Sequence, residues 1–171
     1  MKIEYSGGLK KINNFFNVMQ RQFSQTEWQF IRSNKELNIT DSDKEAMLQR
    51  FMRLWCLKES FVKAEGTGII LPLSKISFIC KNELKSPKND TVRDTDVMLS
   101  GNKLGEWSFE ETMLDHYHYV SIAKVSSDKA MVDEDFNFKF LTFKDLILQD
   151  INNPHFTSDD ELLWSNFCQK N

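Results

Sequence analysis

The feature that most constrains the fold is a long stretch without glycine or proline, from Ser42 up to Gly66. Ser42 followed three residues later by Glu45 matches a capping box, in which two side chains satisfy backbone N–H groups at the start of a helix. Good helix formers follow, and Gly66 is the residue type that most easily adopts the positive φ of a helix end. We therefore predict one long helix from about Ser42 to Ala64.

Two kinds of side chain divide the surface of this predicted helix. The apolar side chains, which we expect to be buried, are Leu48, Phe51, Met52, Trp55 and Val62. The half from Gln49 to Lys63 holds four cations against one carboxylate, a net charge of +3: Arg50, Arg53, Lys58 and Lys63 against Glu59. This local excess of positive charge predicts a site for anions.

Weaker patterns on either side of the helix predict an α+β fold. Apolar spacing predicts a helix from Leu9 to Phe23, and Ser24 with Glu27 forms a second capping box that would start a short helix. Strand patterns occupy residues 76–80, 96–100, 105–113 and 117–125. We expect one meandering antiparallel sheet packed on the long helix, in a domain of residues 1–125. A polar linker and C-terminal tail would follow at 126–171, with a strand or loop leading into a short helix at 138–148.

Composition limits the classes of protein to which the chain could belong. The formal net charge of −3 argues against nucleic acid as the partner, because phosphate-backbone binding normally requires an excess of Lys and Arg. The three cysteines lack the short spacings of a zinc site or a disulfide framework, which favours a reducing compartment. No apolar run approaches the roughly 20 residues that cross a bilayer, and the amino terminus lacks a signal-peptide segment. We therefore expect a soluble, cytoplasmic protein with no membrane partner.

The stretch W-C-L-K-E-S-F-V-K, residues 55–63, lies within the predicted long helix. Trp55, Glu59 and Lys63 are four residues apart, so they fall along one helix face. A Glu followed four residues later by Lys is also the favoured arrangement for a simple surface ion pair, worth only about 0.2–0.5 kcal/mol. Spacing alone favours the surface ion pair and does not exclude a metal and phosphate site.

The surrounding string LWCLKESFVKAEGTGIILPLSKISF, residues 54–78, resembles the signature of the Sfp-type 4'-phosphopantetheinyl transferases. In that family a helix bearing W-x-x-K-E, then Ser or Ala, then x-x-K runs into a G-x-G turn and a strand. The matching positions here are Trp55, Lys58, Glu59, Ser60, Lys63, Gly66 and Gly68. With FFNVMQRQFSQTEW, EWSFEE and LTFKDL, the chain most resembles the eukaryotic aminoadipate-semialdehyde dehydrogenase phosphopantetheinyl transferases.

The resemblance implies a lobe of the phosphopantetheinyl transferase fold and a Mg²⁺-dependent transfer of 4'-phosphopantetheine from coenzyme A to a serine of an acyl or peptidyl carrier protein. It implies that Glu59 is the magnesium ligand and that Glu59 and Lys63 are the catalytic residues, with Lys63 contacting the coenzyme A phosphates. Ser60 would lie near the coenzyme. Lys58 would bind phosphate or orient the incoming serine, although it projects about 100° away from Glu59 on an ideal helix. Trp55 would pack and fix the helix.

Members of this family usually have two similar lobes, and a motif of Gly, Val or Ile, then Asp supplies another magnesium carboxylate. The resemblance places Met1 just after that motif. We therefore expect the C-terminal part of a transferase that has little activity alone, with a missing N-terminal lobe or self-association as the means of completing it. The alternative is a non-catalytic lobe that binds carrier proteins, with Phe15, Phe16 and Met19 as an exposed patch. Ordinary packing is the simpler expectation for these three residues.

Overall fold

The computed structural model describes residues 9–33, 40–84 and 91–125, together with residues 138, 141, 142 and 145. The chain divides into two units, Met1–Phe136 and Asn137–Asn171. The predicted boundary between residues 125 and 126 stays a prediction, and the elements expected beyond it lie almost wholly outside the described residues. In the second unit, Thr142 and Asp145 exchange backbone and side-chain hydrogen bonds in the pattern of a capping box.

The first unit contains three helices and five strands within its described residues. The helices are α1 (Leu9–Met19), α2 (Gln25–Arg32) and α3 (Asp41–Glu65). The strands are β1 (Ile76–Ile79), β2 (Asp96–Leu99), β3 (Asn102–Lys103), β4 (Trp107–Asp115) and β5 (His118–Val125). Short 3-10 turns occupy Gln20–Gln22, Gly68–Ile70 and Leu73–Lys75. No helix in the described ranges is both long and apolar enough to span a membrane.

The predicted long helix is confirmed as α3, but its amino-terminal cap was assigned to the wrong residues. Thr40 and Asp43 form the capping box, instead of Ser42 and Glu45. The backbone of Thr40 is extended, with ψ of 171°, so the N–H groups that need a partner are those just after Thr40. At the other end Gly66 has φ of +74°, and its N–H donates to the Val62 carbonyl oxygen, as the sequence predicts.

The first helix is shorter than the apolar pattern suggests. The helix expected to reach Phe23 ends at Met19 and continues as the 3-10 turn. Phe23 is extended because the next residue, Ser24, must leave the helical region to cap α2. The predicted capping box between Ser24 and Glu27 is confirmed. An indole hydrogen bond of 3.0 Å from Trp28 Nε1 to the Gln20 carbonyl oxygen joins the two segments.

The strands form two sheets, so the prediction of a single meander is wrong. One sheet has the order β1-β2-β3, and β4 with β5 forms an antiparallel hairpin. A bridge connects the hairpin to the chain ahead of β2: Val92 N donates to Glu111 O at 2.8 Å, and Glu111 N donates to Val92 O at 2.9 Å. Residue 92 lies in the stretch between the strands predicted at 76–80 and 96–100. The strand predicted at 105–113 therefore pairs with that stretch and does not extend the first sheet.

Helix α3 is the central element of the hydrophobic core. It packs against α2, β1 and β5. Its buried apolar residues are Met47, Phe51, Leu54, Leu57 and Phe61. Of the residues predicted to be buried, Phe51 is buried, whereas Leu48, Met52, Trp55 and Val62 are only partly buried. The sequence pattern located one apolar stripe, but elements on several sides cover the helix, so apolar positions around most of its circumference become buried.

The aromatic residues of α1 pack into this core. Phe16 is fully buried, and its ring lies 5.4 Å from that of Trp28. Phe15 and Met19 are partly buried against the same cluster. The expectation of ordinary packing is confirmed, and the alternative of an exposed patch is wrong for Phe16.

A buried ion pair connects α3 to the hairpin. The Arg53 guanidinium donates from Nε to Glu111 Oε2 at 2.7 Å and from Nη2 to Glu111 Oε1 at 2.9 Å. Arg53 Nη1 also donates to the Asn82 carbonyl oxygen at 2.7 Å, and Thr95 donates its hydroxyl to Glu111. Burial lowers the pKa of Arg53, but the hydrogen bond and charge of Glu111 outweigh this effect, so the net shift is upward.

Replacing one member of this pair should destabilise the fold far more than replacing both. We expect Arg53→Met to lower the free energy of unfolding by about 3–5 kcal/mol, because Glu111 is left as an unpaired buried charge. The double variant R53M/E111Q removes both charges and should recover much of that loss. Urea denaturation followed by circular dichroism measures both changes. A single variant as stable as wild type would contradict the observed pairing.

The conformation of Gly66 gives a second prediction. Gly66→Ala should lower the free energy of unfolding by about 1–2 kcal/mol, since an L-residue at positive φ brings its Cβ close to the backbone carbonyl. Gly105→Ala is the matched control, because a Cβ at Gly105 meets no atom within 4 Å and its φ is not positive. Equal effects of the two substitutions in thermal unfolding would argue against the positive φ.

Candidate functional site

Glu59 and Lys63 form the part of the predicted site that faces solvent. Both lie on α3, one helical turn apart, with Glu59 Oε2 3.7 Å from Lys63 Nζ. The side chains are 45% and 78% exposed. At this distance and exposure the contact is a solvent-screened ion pair, not a direct hydrogen bond. Little free energy is lost when the pair separates, so both groups are available to a metal ion or a phosphate.

Lys58, the adjacent residue, lies in the protein interior. Its Nζ lies 2.9 Å from Glu27 Oε2, donates to the Leu73 carbonyl oxygen at 2.8 Å, and also donates to the Ile76 carbonyl oxygen. Burial lowers the pKa of Lys58, and the charge of Glu27 opposes this shift. An ammonium group with all three N–H donors engaged has none left for a phosphate. The structure therefore gives Lys58 a place inside the fold, in contrast to its expected role as a coenzyme contact.

Ser60 and Cys56 face strand β5. Ser60 Oγ donates to the Leu57 carbonyl oxygen at 2.9 Å and lies 3.1 Å from Ser121 Oγ. Cys56 Sγ contacts the Tyr119 carbonyl oxygen at 3.5 Å, and burial raises the pKa of the Cys56 thiol. Ser60 thus sits on the packed side of α3, about 100° around the helix from Glu59. Its predicted position near the coenzyme stays a prediction.

Trp55 packs as the sequence suggests. Its ring stacks on that of Phe51 with centroids 6.3 Å apart and contacts Phe23 at 6.2 Å. These contacts hold the turn of α3 that precedes Glu59 against the aromatic core, so Trp55 supports the site through packing.

The predicted anion site along this half of α3 is largely wrong. Arg53 and Lys58 are buried in ion pairs, and Arg50 Nε donates to the Ile31 carbonyl oxygen at 3.0 Å. Burial lowers the pKa of Arg50. Arg50 and Arg53 line a cleft of about 230 Å³ together with Glu83 and Tyr119, and neither Glu59 nor Lys63 lines it. Of the four cations, Lys63 is the one that remains exposed beside Glu59. Counting charges along a helix does not reveal which of them point inward.

The donor set at Glu59 fits an open magnesium site. Mg²⁺ prefers hard oxygen ligands, keeps several waters and commonly takes one or two protein carboxylates together with substrate phosphates. Glu59 offers such a carboxylate at the surface. Among the residues that the structure describes, no group of three or more His, Cys, Asp or Glu side chains could enclose a metal ion. Glu59 would therefore hold the ion as one ligand, with phosphate and water completing the coordination.

Sequence reasoning missed the two carboxylates that neutralise the buried cations of α3. Glu27 was assigned only to a capping box, yet it is 1% exposed and also pairs with Lys58. Glu111 was noted only as part of a motif, yet it binds Arg53. A possible signal for Glu111 was its place in EWSFEE, where it shares the apolar face of the strand with Trp107 and Phe109. A charged residue at a core position requires a buried partner of opposite charge.

Comparisons with known proteins agree with this architecture. The family model described as the 4'-phosphopantetheinyl transferase superfamily matches residues 3–120. L-aminoadipate-semialdehyde dehydrogenase-phosphopantetheinyl transferases from rat and human are each 32% identical to this chain, over 94% of its length and 52% of their own. The 4'-phosphopantetheinyl transferase Sfp of Bacillus subtilis is 37% identical over 60 residues, which is 35% of this chain and 23% of Sfp.

These matches confirm the resemblance seen in residues 54–78, and the α+β fold agrees with them. The chain spans about half the length of the curated relatives it matches. The matched region includes α3 with Glu59 and Lys63, and it extends through β1 to β4 and the first three residues of β5. The chain belongs to the 4'-phosphopantetheinyl transferase superfamily.

Proposed function

We propose that this chain carries part of the active site of a Mg²⁺-dependent phosphopantetheinyl transferase, which moves 4'-phosphopantetheine from coenzyme A to a serine of an acyl or peptidyl carrier protein. The observation that carries the proposal is the exposed Glu59–Lys63 pair, in the family-matched part of a helix whose preceding cation, Lys58, is buried. The two exposed groups have the charges that a metal ion and a phosphate would require.

The chemistry of the reaction explains why both charges are needed. The serine oxygen attacks the phosphorus that bears pantetheine, a new P–O bond forms, and the bond to the leaving adenosine 3',5'-bisphosphate breaks. The serine hydroxyl passes its proton to solvent water as the new bond forms, and negative charge builds up on the leaving phosphate. Mg²⁺, when bound, would supply positive charge to the phosphate oxygens. Glu59 would hold the ion, and the Lys63 ammonium would bind and neutralise a phosphate oxygen of coenzyme A.

We further propose that the 171-residue chain has little transferase activity by itself. Glu59 supplies a single carboxylate, and most of the coordination of a magnesium ion would have to come from water and phosphate. A second lobe or a second copy of the chain would add charge and enclose the coenzyme. A non-catalytic lobe that binds carrier protein is the alternative, and the experiments below separate it from an enzyme.

Removing the Glu59 carboxylate should abolish magnesium-dependent function. We expect Glu59→Gln to reduce the transfer rate on the order of 100-fold or more, since loss of the ion costs several kcal/mol of transition-state stabilisation. The assay uses the chain joined to the N-terminal lobe of a relative, and it follows labelled phosphopantetheine from coenzyme A onto a purified carrier domain, with Mg²⁺ and with EDTA. Glu65→Gln, an exposed carboxylate on the same helix, is the control and should leave the rate unchanged. Carrier binding without Mg²⁺-dependent transfer by the completed wild-type protein would favour the non-catalytic lobe.

Removing the Lys63 ammonium should weaken the binding of coenzyme A. We expect Lys63→Ala to raise the dissociation constant for coenzyme A about tenfold in the presence of Mg²⁺, because a charge-assisted contact to phosphate is lost. Isothermal titration calorimetry measures this constant. Lys44→Ala, near the other end of α3, is the matched control. Unchanged affinity in the Lys63 variant would remove this residue from the proposed site.

A further inference from the structure

The Lys58–Glu27 ion pair connects α3 to three other parts of the fold. The Lys58 ammonium contacts the Glu27 carboxylate of α2, the carbonyl oxygen of Leu73 in a 3-10 turn, and the carbonyl oxygen of Ile76 in β1. Lys58 is fully buried, with the rings of Phe23 and Phe78 beside its Nζ at 5.2 and 6.0 Å. Because the side chain is fully buried, these contacts determine where its ammonium group lies.

Glu27 has an equally full set of contacts. Its Oε2 accepts from Ser24 N at 2.8 Å and from Lys58, and its Oε1 accepts from Phe78 N at 3.3 Å. Strand β1 lies at the edge of its sheet, and Ile76 and Phe78 direct their backbone groups to the same side because they are two residues apart. Lys58 and Glu27 therefore occupy the hydrogen-bonding edge that another strand would otherwise take.

Glu59 follows Lys58 directly on α3. Consecutive residues on a helix point about 100° apart, so an anchor at Lys58 determines the direction of Glu59 around the helix axis. Desolvation makes a buried ion pair a poor source of net stability, but its geometry is strongly defined. The contacts of Lys58 with β1 and the Leu73 turn also set the position of this part of α3 along its axis.

We propose that Glu27 and Lys58 are positioning residues: their buried ion pair holds α3 against β1 so that Glu59 presents its carboxylate in the direction required to bind the metal ion. The inference rests on the proposed function, because the positioned group is the proposed magnesium ligand. It gives a functional reason for placing a lysine and a glutamate in the core.

The chain offers a matched control in the Arg53–Glu111 pair. Arg53 lies on the same helix. Its side chain is 5% exposed, and that of its partner Glu111 is 1% exposed. Arg53 is six residues from Glu59, and it anchors α3 to β4 instead of β1. Loss of either pair should destabilise the core to a similar extent, but only loss of the Lys58 pair should weaken metal binding at Glu59.

The test compares the double variants E27Q/K58M and R53M/E111Q, each of which removes two opposite charges. Folding is first checked by circular dichroism and thermal unfolding. Binding of Mn²⁺, used in place of Mg²⁺, is then measured from the electron paramagnetic resonance signal of the free ion in the presence of coenzyme A. We expect E27Q/K58M to weaken Mn²⁺ binding about tenfold or more, the range found when residues that orient metal ligands are changed. R53M/E111Q should bind Mn²⁺ like wild type, and E59Q gives the value for a lost ligand.

Lys58→Arg and Arg53→Lys, which keep each buried charge but change its hydrogen-bond geometry, form a second pair for the same comparison if a double variant does not fold. Selective weakening in the Lys58 variants supports the proposal. Equal Mn²⁺ affinity in the Lys58 and Arg53 variants overturns it, while wild-type binding that depends on Glu59 leaves the proposed function intact. If wild type shows neither Mn²⁺ binding with coenzyme A nor phosphopantetheine transfer, the proposed function fails and the positioning role fails with it.

Discussion

The arrangement around α3 depends on the ion pair between Lys58 and Glu27. Both groups are removed from water, which costs several kcal/mol for each ion unless attraction and hydrogen bonds offset the loss. The structure meets this requirement by directing every N–H of the ammonium to an acceptor and by giving the carboxylate two backbone donors as well. One interaction thereby connects α2, α3 and β1, which carry much of the aromatic core.

A second buried pair, Arg53 with Glu111, connects α3 to the hairpin. Residues 53 and 58 are five positions apart, which places them about 140° apart around the helix. The two cations therefore attach α3 to different neighbours, β1 and β4. With these directions occupied, Glu59 and Lys63 lie on the part of the helix that remains open to solvent. The exposed pair is where we propose that a metal ion and coenzyme A bind, and the Lys58–Glu27 pair is proposed to set the direction of Glu59.

Much of the local structure could be predicted from residue types. The capping box of Ser24 and Glu27, the helix end at Gly66 and the existence of α3 follow from hydrogen bonding within a few residues of the chain. Local patterns did not identify the amino-terminal cap of α3, because Thr40 and Ser42 both offer a hydroxyl with a carboxylate three residues later. The division into two sheets and the bridge between Val92 and Glu111, nineteen residues apart, were not predictable, because both depend on contacts between segments distant in sequence.

The sequence by itself determined the long helix, its glycine terminus and the family to which the motif of residues 54–78 belongs, since these depend on short-range patterns. Only the tertiary structure decided the role of each charge in that motif. Lys58, Glu59 and Lys63 are all ionisable residues on one helix, and spacing separates the directions of the two lysines without showing which of them is buried. Lys58 is buried because Glu27 and two carbonyl oxygens lie where its side chain ends, whereas no such set of partners encloses Lys63 among the described residues. The physical reason is that the free energy of a charged group depends on the water and partners around it, and elements distant in sequence supply those partners.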